Sequence, residues 1–346
     1  MALIYDVVDV QELTGFVRGV QLERELNVFQ LSRFLPNENI DDIEYRVVKG
    51  GINDQDVASI RAWDTESPIG SRQGISRLMG ELPPISKKIR LGEEERLRRR
   101  SLDRGGDIQQ IADAIYADAD NMARAVAARI ELLRGEALYS GALNINENGV
   151  IQTVNFGRSG THSVTLTGAD LWSAYSTSDP VKNLLTWQQT YVDTNGVKPA
   201  ICVISTTALN HLLLNDKIRT IASSISGAPS ILSEMTLNTV LSAYGLPPLW
   251  VYDTKVRIAG TATRVIPADK VIFVPPAGEP LGRTFIGTTA ESLELAGANQ
   301  MSQDDLSGMV AVVEKTFDPV ATWTKAAVVA LPVMVNPDLT FVADVY

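Results

Sequence analysis

Eight apolar residues between Ile108 and Leu133 constrain this chain more than any other feature. Ile108, Ile111, Ile115, Ala119, Met122, Val126, Ile130 and Leu133 are separated by 3, 4, 4, 3, 4, 4 and 3 positions. The mean spacing, ~3.6, keeps all eight on one face of a straight α-helix. Gly105-Gly106 precede the run, Asp107 is placed to cap it with Gln110 reaching back, and Gly135 is the expected stop. Acids (Asp113, Asp118, Asp120) fill the first half and bases (Arg124, Arg129, Arg134) the second, as the helix dipole favours. The spacing predicts a helix over 107–134, ~42 Å long at ~1.5 Å per residue and well above the average length. Such a helix is either a strut across a domain or an ordinary core helix, and composition does not separate the two.

What surrounds the helix is uneven. Residues 1–40 have few apolar positions before Val28, Phe29, Leu31, Phe34 and Leu35, so they read as an arm, frayed or docked elsewhere. Residues 42–91 read as a long extended hairpin. Ile43–Val47 and Val57–Trp63 alternate, Asp64–Gly74 is a turn-rich tip, and Pro83-Pro84 belongs on a sheet edge. This hairpin has no core of its own, and an isolated hairpin is marginal in water, so another surface must cover it. Asn148-Gly149 marks a tight hairpin turn. Residues 168–300 alternate helix and strand as a compact α+β lobe. In it Asp179-Pro180 starts a helix that Asn195-Gly196 ends, Pro199–Ser205 is a buried strand, Ser205 or Thr206 caps the next helix, and Met235–Tyr244 is another. Residues 309–346 read as three strands, with Ala326–Val335 apolar on both faces, and are expected to lie beside the long helix.

Several chemistries are excluded or disfavoured. One Cys forbids an internal disulfide, and one Cys with two His leaves no ordinary zinc set. No phosphate-binding loop, nucleophile elbow, HExxH, CxxC or GxGxxG pattern occurs. The acidic pairs Asp41-Asp42, Glu93-Glu94-Glu95 and Asp304-Asp305 are sequence neighbours whose side chains diverge, so they read as solvated faces. His211 reads as a half-buried helix residue, His162 as a loop residue without a partner, and Cys202 as core. The acidic N-terminus is no signal peptide, and the longest apolar run is half a membrane span, so a soluble, cytoplasm-made protein is expected. Neither a catalytic constellation nor a cofactor motif is present.

Charge is uneven as well. The net charge is −10, which disfavours phosphate-driven binding of nucleic acid by the whole chain. Yet Arg72 to Arg104 holds ten bases and five acids, a local +5. Glu94 and Glu95 precede Arg98 and Arg99 by four residues, so a solvated face of local ion pairs is one reading. The other is a basic tongue that docks on acidic surface of an identical chain. Nucleic-acid binding by this stretch is a third, although no aromatic is interleaved for stacking.

The order of these parts resembles the major capsid proteins of tailed bacteriophages, with the Hong Kong 97-type fold, and looks closest to the lambda E-like branch. The terminal run is the most specific: Lys315, Asp318, Pro319, Trp323, Leu331, Pro332, Asn336 and Pro337 match its Lys-x-x-Asp-Pro, Trp, Leu-Pro and Asn-Pro positions. Segments 28–47, 249–256, 264–276 and 279–292 follow in the family's order. The resemblance implies an N-terminal arm (1–40), an E-loop (41–91), a peripheral domain (92–167 and 301–346, spine helix 107–134) and an axial domain (168–300). It implies a non-enzymatic structural protein, without cofactor, that self-assembles into hexamers and pentamers of an icosahedral virion shell around packaged double-stranded DNA. Arm and E-loop would interlock neighbours. A separate scaffolding protein, a portal and a decoration protein are the further partners it implies, with assembly in the host cytoplasm and no membrane. The tip Asp64–Gly74 has no Lys for a covalent crosslink. Candidate inter-subunit contacts are Arg61, Trp63, Asp64, Arg72, Arg77, Lys87, Lys88, Arg98, Arg99 and Arg100. An encapsulin-like compartment shares the fold, and a cytoplasmic α+β enzyme with an unidentified site is the reading from another class. Trp323, if fully buried, should cost ~3–5 kcal/mol on truncation.

Overall fold

In the computed structural model, residues 8–49, 60–61, 63–66, 76–94, 107–226, 232–276, 281–302 and 306–346 are described. Helix α1 (Val10–Asn27) starts at Asp9, whose side chain accepts from the Gln11 amide. Val10, Leu13, Val17 and Val20 recur at 3, 4 and 3 and are buried, so this part of the arm is a docked helix. From sequence the segment reads as an arm with few apolar positions, and the short stripe becomes a packed face only against the helix Asp107–Ser140 and the strand Val310–Phe317. Helix α2 (Asp107–Ser140, 34 residues) is the strut, ~51 Å long. Ile115, Ala119, Met122, Val126, Ile130 and Leu133 are buried along it, and Ile115, Ala119, Val126 and Ile130 pack with α1 and the first sheet; the side chains of Ile108, Gln110 and Ile111 lie outside the described set.

Gly135 does not stop α2. An added Cβ there would sit 2.5 Å from the Val265 carbonyl oxygen, so the glycine serves a close backbone approach between helix and lobe. The stop is Gly141, with φ of +70°, whose amide reaches the Ala137 carbonyl. The Arg158 guanidinium donates to the last carbonyls, of Ala137, Leu138 and Tyr139. Burial draws its pKa down to about 10, opposed by Asp338.

The first sheet is built on one long strand, β15 (Val320–Met334). Its first half pairs with β14 (Val310–Phe317) on one side and β4 (Pro84–Leu91) on the other. Its second half pairs with β13 (Gly282–Gly287), which carries the short parallel strand β1 (Asn37–Asn39). Thus 84–91 is not an arm of the hairpin, as the sequence reading had it, but an edge strand of this sheet. The Pro83 carbonyl accepts from the Ala330 amide. By alternation Pro84 then faces the free edge, where its missing N–H costs nothing. The hairpin proper is β2 (Glu44–Lys49) against β3 (Ser76–Glu81), paired with no other described strand. Tyr45 anchors its base, stacked on Phe285 with centroids 5.9 Å apart.

The second sheet runs β7 (Ser163–Thr165), β16 (Phe341–Asp344), β12 (Lys270–Val274), β8 (Ile201–Ile204), β9 (Leu249–Val251). Here the terminal segment departs from expectation. β16 joins this sheet, pairing with β12, while β13 from the 168–300 segment joins the first. Apolar periodicity marks a buried strand but not its sheet. Helices α3 (Pro180–Asn195), α4 (Thr206–Leu214), α5 (Asp216–Ser226) and α6 (Glu234–Ala243) complete this lobe. Their caps are those read from sequence: Asp179 Oδ accepts from the Lys182 amide, Gly196 takes φ of +68°, and the Ser205 hydroxyl accepts from the Ala208 amide. β5 (Ala142–Glu147) and β6 (Val150–Asn155) turn at Asn148-Gly149, both at positive φ. A third hairpin, β10 (Lys255–Ile258) with β11 (Thr261–Arg264), and helix α7 (Ala290–Gly297), with its Thr289–Ser292 capping box, fill out the chain. No helix among the described residues is long and apolar enough to cross a membrane.

Candidate assembly interface

The candidate contact residues fall on two described elements. Between the two strands of the hairpin, Ile60 and Trp63 are 102% and 96% exposed. Asp64 turns the chain there with φ of +63°, and the Arg61 guanidinium donates to the Thr65 carbonyl at 2.7 Å. Arg77 lies exposed on β3, opposite Val48. Val48 and Met79, on the same ribbon, are also exposed. A two-stranded ribbon with exposed Val48 and Met79, joined by a segment with two bare apolar side chains, is a surface that calls for a cover.

Lys87 and Lys88 lie on edge strand β4, exposed and pointing to opposite faces. Lys88 Nζ sits 4.7 Å above the Trp323 ring and the Arg90 guanidinium 5.7 Å from it. Trp323 is therefore half-buried under two cations rather than enclosed in the core. Lys325, directly across from Lys88, is held by Glu291, which offsets the like-charge pairing. Lys87 projects on the α2 side, at the mouth of a recess of about 280 Å3 between β4, α2 and the β5–β6 hairpin. Arg72, Arg98, Arg99 and Arg100 lie outside the described residues, as do most of the Asp64–Gly74 tip and Asp304-Asp305.

One polar constellation went unread in the sequence. Arg134, fully buried in α2, donates to Glu131 Oε2 at 3.3 Å, Glu25 Oε1 at 3.2 Å, Asn37 Oδ1 and the Thr284 hydroxyl at 3.0 Å. Glu131 Oε1 in turn accepts from the Leu31 amide and the Tyr252 hydroxyl. Burial pushes the Glu131 carboxyl above its ordinary value, against the opposing pull of Arg134 and the Tyr252 hydroxyl. The cluster joins the arm, both sheets and the strut. Its one legible signal was Glu131 and Arg134 set three apart on the apolar side of the helix. His162, expected to lack a partner, is likewise buried, with Nδ1 3.1 Å from the Thr340 carbonyl oxygen and Nε2 2.9 Å from the Thr194 hydroxyl. His211 is half-buried on α4, its pKa drawn down by burial, with Nδ1 3.2 Å from the Tyr175 hydroxyl. Cys202 is core, and burial pushes its thiol pKa up. No metal-holding group of His, Cys, Asp or Glu occurs among the described residues.

The arrangement offers adhesion rather than chemistry: exposed apolar and cationic groups on a ribbon and a sheet edge, with the Arg134 cluster and His162 tied up inside the fold. No curated protein matches the chain. Among solved structures, one described as the capsid protein of a prophage of E. coli CFT073 superposes with a TM-score of 0.62 at 13% identity, covering 98% of this chain and 99% of that one. A phage-related protein from Bordetella bronchiseptica RB50 gives 0.57 at 12%, covering 95% and 96%. Likeness at such identities shows the shared Hong Kong 97-type capsid fold. A family model described as phage major capsid protein E matches residues 11–345. With nearly its whole length so matched, the chain belongs to the phage major capsid protein E family.

Proposed function

We propose that this capsid-family chain builds a phage head by repeating one ring contact, in hexamers and pentamers that close into an icosahedral shell around packaged double-stranded DNA. The observation that carries the reading is the segment between the hairpin strands, where Ile60 and Trp63 are bare within their own chain. A neighbouring copy is the natural cover for such a surface. Residues 1–40 act as the arm, the β2–β3 hairpin and the segment between its strands as the interlocking loop, α2 with β4, β13, β14 and β15 as the frame of the peripheral domain, and the lobe of the second sheet, β16 included, as the axial domain at the centre of each ring. The acidic balance of −10 fits a wall that must not hold the genome tightly. Scaffolding, portal and decoration proteins are separate partners, and the finished protein resides in the virion after assembly in the host cytoplasm. The role is structural, not enzymatic.

Negative-stain microscopy of the purified chain, alone and co-expressed with its genomic neighbours, tests this. Rings of five and six or closed shells are expected. A uniform dimer or tetramer under both conditions would overturn it. Arg98, Arg99 and Arg100 changed together to Glu should block assembly while the monomer stays folded, and an unchanged particle yield would remove the basic tongue from the interface.

A further inference from the structure

A ring of identical copies needs a heterologous contact, in which a projection on one copy enters a recess elsewhere on the next. Among the described residues, Ile60 and Trp63 are the large apolar side chains most fully bared, in the segment between the hairpin strands. Three hollows among the described residues bear on where Trp63 could dock. The hollow beside α1 is lined largely by polar groups, including Arg18, Gln21, Glu25 and Asn37. A second lies at the base of the same hairpin, and its cations are already held, Arg46 by Glu44 and Arg283 by Glu38. The third is the recess behind β4, with Pro84, Val126, Leu133 and Ile145 among its apolar lining. At about 280 Å3 it is smaller than a typical ligand or cofactor pocket, yet roomy enough for one aromatic ring.

Charge points the same way. At the mouth of that recess, Arg129 is paired with Glu147 at 2.9 Å, whereas Lys87 is exposed and pairs with no described residue. Between the hairpin strands, Asp64 and Glu66 follow Trp63, so the anchor carries its own acids. The Arg61–Thr65 hydrogen bond and the turn at Asp64 shape the loop before any partner arrives, which lowers the ordering cost of docking.

We propose that Trp63 of one copy anchors in the Pro84–Val126–Leu133–Ile145 recess of its neighbour, with Asp64 set against Lys87. This rests on the shell reading above and names the residues that make its contact. A buried aromatic ringed by polar pairs is the usual composition of an interface hot spot.

The test uses the full-length chain under conditions in which the unaltered protein assembles. If the unaltered protein forms neither rings nor shells, the shell reading falls and this contact with it. If it does assemble, the contact is judged separately. Trp63→Ala should raise the concentration needed for assembly at least ~30-fold, the scale of a hot-spot residue, with an unchanged unfolding midpoint because the ring supports nothing in its own chain. Asp64→Lys and Lys87→Glu should each impair assembly, and the two together should restore it. Under oxidation, the Asp64→Cys/Lys87→Cys protein should give a ladder of linked chains that neither single variant gives, since Cys202 is fully buried. Normal assembly of Trp63→Ala, or particles of the double-cysteine protein that yield no ladder, would overturn the assignment while leaving the shell intact.

Discussion

Arginine and glutamate do opposite things in two regions of this molecule. Around Arg134 they are sealed inside, where one guanidinium serves two carboxylates and an amide side chain. Along β4 and the hairpin the cations Arg77, Lys87, Lys88 and Arg90 stand in solvent. In the first region each group depends on its partners, because an unpaired buried charge has no water to return to. In the second each charge is already solvated, so its removal changes little in the monomer and matters only when a neighbour arrives. Buried charge here fixes one chain's own arrangement. Exposed charge is free to choose a partner.

The largest effect should come from breaking the buried cluster. Arg134→Met leaves Glu25 and Glu131 without their cation and should cost ~3–5 kcal/mol in urea unfolding. Lys88→Met, the matched change on the surface, should cost under ~0.5 kcal/mol. Similar losses for both would erase the distinction. The pH dependence sharpens it. Because burial raises the Glu131 pKa, its contribution is fully present below the ordinary carboxylate value of ~4.3 and is lost as pH climbs through the folded value. Glu131→Gln does not titrate, so wild-type stability relative to that variant should be greatest in acid and decline toward neutrality. A difference that stays flat with pH would show that Glu131 keeps one protonation state throughout.

Two glycines carry the same contrast into the backbone. Gly135→Ala forces a Cβ against Val265, a clash of ~1–3 kcal/mol that the ~1 kcal/mol gain in helix propensity only partly offsets. Gly19→Ala, with nothing within 4 Å of the added carbon, should instead stabilise by ~0.5–1 kcal/mol. Thermal unfolding of both reads the sign directly. Trp323→Ala sits between the regions. With its ring half-buried beneath Lys88 and Arg90, it should cost ~1–2 kcal/mol, below the ~3–5 kcal/mol of an enclosed aromatic. A loss in the higher range would mean the ring belongs to the core after all.

Much of the fold was legible because local chemistry dictates it. The stripe from Ile115 to Leu133, the Asp179 and Ser205 caps and the Asn148-Gly149 turn each express a preference that neighbours in sequence settle among themselves. Of the candidate contacts, the exposure of Trp63 and Lys87 followed from a hairpin without a core and a proline-led edge. The Lys88–Trp323 stacking did not, since 235 residues separate partners that only strand pairing brings together.

The sequence by itself determined the long helix, the caps and turns of the 168–300 lobe and the apolar terminal strands, that the chain carries no metal or nucleophile motif, and that one segment is basic in an acidic protein. Tertiary structure alone decided that β13 and β16 trade sheets, that Gly135 is a contact rather than a stop, and that Glu25, Glu131 and Arg134 meet. The reason is range. Propensity, capping and turn chemistry act over a few residues, whereas sheet partnership and burial of a charge depend on groups about 100 positions or more apart that become neighbours only once the chain has closed.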